Sequence, residues 1–129
     1  FVPWSRSGDD GLDNLVAACR ACNNDKRATL PAAQHLDELL SRNKRWFADL
    51  NSIATERQWP RNHPRSLAIV GVAYRKGSTD RLLWRWDRAA RRRGLTPFES
   101  DRLELERLIA EAATAGASGA TAEPRPEAS

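Results

Sequence analysis

Apolar residues recur at helical spacing over much of this chain. From Ala32 to about Gln58, Leu36, Leu39, Leu40, Phe47, Leu50 and Ala54 fall near one face, which predicts an amphipathic helix ended by Pro60 and Pro64. Leu105, Leu108, Ile109 and Ala112 repeat at i, i+3, i+4, i+7. Ahead of them stands Thr96-Pro97-Phe98-Glu99, with Thr and Glu at capping-box spacing and Pro at the first helical position. Thr79–Arg93 reads as a helix with Gly94 at its C-terminal cap. Ser66–Tyr74 fits either a strand, by its β-branched residues, or a buried helix starting at Pro64, and the helix is favoured.

The N-terminal quarter is patterned differently. Phe1–Asp13 is rich in turn formers and reads as loop. Asn14–Ala18 is short enough for a strand, Cys22–Thr29 suits a short helix, and Pro31 suits the first turn of another. Residues 113–129 are mostly Ala, Gly, Ser, Pro and Glu, which predicts a disordered tail. The chain thus divides into residues 1–31, a helical region over 32–112, and the tail. The fold class expected is mainly α with a small β element.

Composition adds limits. A chain of 129 residues makes one modest domain, and 29% charge with 40% apolar content is ordinary for a globular protein. No apolar run nears the length of a membrane span, and no secretory signal opens the chain, so a cytoplasmic location is expected. The net charge of +4 is unevenly spread, since residues 59–95 hold ten basic and two acidic side chains. That is a bias toward anionic partners. On the expected helix, Arg81, Arg85, Arg88 and Arg92 are spaced +4, +3, +4 and form one stripe, either a track for a phosphate backbone or a solvated face.

The two cysteines, Cys19 and Cys22, form C-x-x-C. Alone, that pattern fits a redox pair, a metal half-site or coincidence. Its context narrows the choice. Val2-Pro3, Ser7-Gly8-Asp9, Asp13-Asn14-Leu15, Cys19-x-x-Cys22-Asn23 and Lys26 follow one another in an order that resembles the HNH endonuclease family, from just after that family's first histidine.

The resemblance implies a ββα-metal site, here partial, that hydrolyses phosphodiesters of DNA. By position, Asn14 resembles the middle Asn, which pins the hairpin loop and orients the general-base His. Asn23 resembles the third residue of the triplet, whose amide oxygen binds Mg²⁺ or another divalent cation. Lys26 would lie about one turn from Asn23, near the phosphate. Cys19 and Cys22 would supply two of four ligands to a structural Zn²⁺, with a second Cys pair upstream.

The family's Asp-His pair would occupy the two positions before Phe1. The chain contains no Met and opens in mid-motif, so a fragment of a longer protein is expected, with little or no activity alone. Neither His35 nor His63 follows an Asp or lies at the expected hairpin, so neither is expected to replace the missing base. Trp4 is expected to pack against the following helix. Two other functions compete with a nuclease: a non-catalytic, zinc-containing nucleic-acid-binding module, and a small helical interaction domain with a decayed motif.

Overall fold

The computed structural model describes residue 1 and residues 11–14, 19–26, 29–59, 61–76 and 81–119. Within these ranges a short 3-10 turn, Leu12–Asn14, is followed by α1 (Arg20–Lys26), α2 (Ala33–Arg45), α3 (Phe47–Arg57) and α4 (His63–Arg75). An antiparallel hairpin comes next, β1 (Leu82–Asp87) paired with β2 (Arg92–Pro97), and then α5 (Phe98–Gly119). Among the described residues the fold is mostly helical with one small two-stranded sheet, the fold class expected. None of the described helices is long and apolar enough to cross a membrane.

The core lies where α2, α4 and α5 meet, closed at one end by the hairpin. Leu36 of α2, Val70 and Tyr74 of α4, Leu83 of β1, and Phe98, Leu105 and Leu108 of α5 are buried together with Leu30, Ala32 and Ala33. Each large apolar side chain removed from water there contributes about 1.5–3 kcal/mol. The Tyr74 hydroxyl, deep in this core, donates to the Pro31 carbonyl at 2.6 Å. Burial holds that phenol well above its ordinary pKa.

Several expectations need correction. The helix expected over Thr79–Arg93 is the hairpin. Leu83 and Trp84 are buried, and the Trp84 backbone bonds to the segment before α2: its N–H donates to the Leu30 carbonyl (2.8 Å), and its carbonyl accepts from Ala32 N–H (2.7 Å). A helix could not offer those groups to a neighbouring strand. Gly94 is a strand residue opposite Arg85, not a helix cap.

The single helix expected over Ala32–Gln58 is two, broken at Trp46. Its apolar face breaks too: Leu36 and Leu39 are buried, but Phe47 is exposed and α3 buries no residue. Pro97 ends β2, and α5 starts at Phe98 rather than at Pro97. That helix also runs past the expected start of the tail, to Gly119. The favoured helix over Ser66–Tyr74 is present within α4, and the short helix near Cys22 is α1. Trp4, the Val2-Pro3 and Ser7-Gly8-Asp9 elements, the possible strand after Asn14, and residues 120–129 lie outside the described residues.

Candidate functional site

Helix α1 carries Cys22, Asn23 and Lys26 of the motif, with Cys19 just ahead of it. It has seven residues and buries none of them, so side-chain packing does not hold it. Polar contacts from the hairpin do. The Trp84 indole N–H donates to the Asp25 carboxylate at 2.7 Å, and the Arg93 guanidinium donates to the Ala21 carbonyl at 3.0 Å. Asn23 is exposed on this helix, and Lys26, one turn on, is half-buried.

Cys19 and Cys22 sit together at the start of α1. The Cys22 N–H donates to the Cys19 sulfur at 3.3 Å. That bond, with the Cys22 thiol and the charge of Arg93, pulls the Cys19 pKa below the ordinary thiol value. The Cys22 thiol is pushed up, chiefly by its hydrogen bond to Cys19 and by desolvation. Both cysteines are free thiols. Two adjacent sulfurs suit half of a tetrahedral zinc site. Among the described residues, no group of three or more His, Cys, Asp or Glu is placed to hold a metal ion.

Asn14 is buried in the 3-10 turn. Its carbonyl accepts a hydrogen bond from the amino group of Phe1, so two positions 13 residues apart meet here. Its neighbour Asp13 fixes the turn to the rest of the protein. The Asp13 side chain is 1% exposed. Arg61 grips it with both ends of its fork, Nε to Oδ2 at 3.0 Å and Nη2 to Oδ1 at 3.2 Å. The His63 Nδ1–H donates to Oδ1 at 2.9 Å, and the Asn43 amide donates to the Asp13 backbone carbonyl at 2.9 Å. Burial alone would raise the Asp13 pKa, but hydrogen bonds from His63 and Arg61 and the Arg61 charge outweigh it and hold the carboxyl below its ordinary value.

This clamp draws residues from three places in the chain onto the turn that carries Asn14. Sequence patterning passed over it. Asp13 was visible only as the residue before Asn14, and Arg61 and His63 stand 48 and 50 residues away with no periodic signal. His63 touches the residue beside Asn14, although its sequence position set it apart from the motif. Because Arg61 already neutralises Asp13, the Asp13–His63 contact is one of position rather than a free acid–base pair. His35 is engaged elsewhere: its Nε2 accepts from the Trp86 N–H at 3.0 Å, and its Nδ1 faces Glu38 at 3.3 Å.

The arginines expected on one helical stripe do not form one. A strand alternates its faces, so +4 and +3 spacings no longer align side chains. Arg81 donates to the carbonyls of Ala73 and Lys76 and lies 4.0 Å over the Phe98 ring. Arg85 lies on β1, 3.9 Å from Asp87, and Arg88, in the turn, pairs with Glu38 at 2.7 Å. Arg92 opens β2 opposite Asp87.

The sequence profile of the HNH endonucleases matches residues 1–32, which points to nuclease-type function and a nucleic-acid substrate. No curated protein and no solved structure matches the chain.

Proposed function

We propose, from the HNH endonuclease segment at residues 1–32, that this chain contributes the second half of a metal-dependent DNA endonuclease site. One observation carries the reading: the Phe1 nitrogen lies against the carbonyl of buried Asn14. In the motif, the general-base histidine is bonded to that nitrogen. Asn14 is therefore next to the histidine position, as a residue that orients the imidazole must be.

In this reading Asn14 and the Asp13 clamp hold the base. Asn23 offers its amide oxygen to a divalent cation such as Mg²⁺, and Lys26 lies one turn away, within reach of a phosphate. A divalent cation bound there would stabilise the negative charge that develops on the phosphate and leaving oxygens. Cys19 and Cys22 suit two of the four ligands of a structural Zn²⁺ site.

The reading is tested in a chain extended by Asp-His ahead of Phe1. Nicking of supercoiled plasmid should appear in Mg²⁺, and Asn14→Ala should lower its rate by about 10–100-fold, the usual cost of losing a residue that orients a site ligand or base. Equal rates with and without Asn14 would remove its assigned role. A non-catalytic binding module is the second reading, favoured by the polar anchoring of the cysteine helix to an arginine-rich hairpin. It predicts DNA binding without nicking in the same extended chain.

A further inference from the structure

Residues 81–97 hold six arginines and one carboxylate, a net charge larger than the +4 of the whole chain. Their contacts sort them. Arg81 is consumed by two backbone carbonyls and the Phe98 ring, and Arg88 by Glu38. Arg91, Arg92 and Arg93 stand in a row where the turn enters β2, all three exposed, though the Arg93 guanidinium already donates to the Ala21 carbonyl. Among the described residues no carboxylate lies within bridging distance of any of these three.

The turn itself favours a different residue. Arg91 has φ +50°, in the left-handed region. That conformation is strained for a residue with a side chain, and glycine would relieve it. Strain held at an exposed arginine points to a use for the side chain. The hairpin is also firmly seated. Trp84 bonds to Leu30, Ala32 and Asp25, and the Trp86 backbone bonds to Gln34 (2.8 Å) and His35. Its tip is thus fixed relative to α1.

We infer that the tip of the β1–β2 hairpin is a contact for the backbone of duplex DNA, entering a groove beside α1 and reading no sequence. Duplex DNA as the partner rests on the nuclease reading; the contact itself rests on the hairpin. Successive strand residues face opposite sides, so Arg92 projects from one face while Arg93, on the other, reaches the Ala21 carbonyl of α1; Arg91 stands at the tip. A two-stranded ribbon fits the major groove, about 12 Å wide, whose two walls are both lined by phosphates. Arg91 at the tip and Arg92 on the face turned from α1 can meet the phosphates of one wall.

The test is anisotropy of a labelled random-sequence duplex, titrated with the full chain over a range of KCl. Two variants are compared, Arg91→Gly/Arg92→Ala and Arg91→Lys/Arg92→Lys. The first removes both charges while relaxing the turn, and unchanged far-UV circular dichroism with a thermal midpoint no lower than that of the unaltered chain shows that the fold is kept. The expected result is a log–log salt slope shallower by about 2, because each lost phosphate contact removes about 0.9. Affinity at moderate salt should fall about tenfold, and the lysine variant should keep the original slope. The inference is overturned if the Gly/Ala variant keeps the slope and affinity of the unaltered chain, or if the unaltered chain binds no duplex. Arginine-dependent binding with no nicking by the Asp-His-extended chain would sink the nuclease reading and leave the hairpin contact standing.

Discussion

Replacing Asp13 by Ala should cost the fold about 3 kcal/mol, the low end of the range for breaking a buried ion pair. The figure follows from exposure and from what remains. Asp13 is 1% exposed and Arg61 5%, so removing the carboxylate leaves a guanidinium out of water without its charge partner. Arg61 keeps two other acceptors, the Phe47 carbonyl at 3.1 Å and the Asn51 side chain, which holds the loss to the low end. His63, at 24% exposure, can turn toward solvent and adds little.

Urea unfolding followed by circular dichroism reads the effect. With an m-value of about 2 kcal/mol/M, the midpoint should fall by about 1.5 M. The double variant Asp13→Ala/Arg61→Ala should lose less than the sum of the single losses, because the second change removes the stranded charge. A loss below about 1 kcal/mol, the worth of an exposed pair, would refute the clamp.

The pH dependence has a definite sign. Asp13 has a lowered pKa in the folded chain, so its contribution is fully present above about pH 4 and is lost as pH falls through the lowered value. Asp13→Asn should remove that part of the acid limb of the stability profile.

Two further outcomes follow from the geometry. Tyr74→Phe should cost about 1–2 kcal/mol in the same urea assay, since it strips the buried Pro31 carbonyl of its donor; a neutral substitution would mean the hydroxyl does not hold that carbonyl. Cys19 should be alkylated before Cys22 by limiting iodoacetamide near neutral pH, as read by peptide mass spectrometry, and Arg93→Ala should slow it, because Arg93 favours the thiolate; equal labelling of the two would contradict the opposed shifts.

The sequence made the amphipathic elements legible and hid the contacts between them. Leu36 and Leu39 of α2 and Leu105 and Leu108 of α5 are buried at the spacing that marks their helices. The hairpin was misread for two reasons. Gly94 stands where a helix would be capped, and the turn, Arg88-Ala89-Ala90-Arg91, contains none of the Gly, Asn or Pro that announce one. Asp87 does that work through its side chain, accepting from the Ala90 N–H at 3.0 Å. What makes the segment a strand is non-local, the pairing of Trp84 with Leu30 and Ala32.

The site divides in the same way. The motif marked Asn14, Asn23, Cys19 and Cys22 by local order. The Asp13–Arg61–His63 clamp is made by tertiary contact, and periodicity says nothing about it. Nor did periodicity place Arg91 in a left-handed turn, since only the backbone reports that.

The proposed half-site is tested most directly by comparing two extended chains, one with Asp-His and one with Asp-Ala ahead of Phe1. Both are incubated with supercoiled plasmid in Mg²⁺ and in EDTA. The prediction is nicking by the Asp-His chain in Mg²⁺ alone, abolished by EDTA and absent from the Asp-Ala chain. Equal nicking by both chains, or none by either, would contradict it.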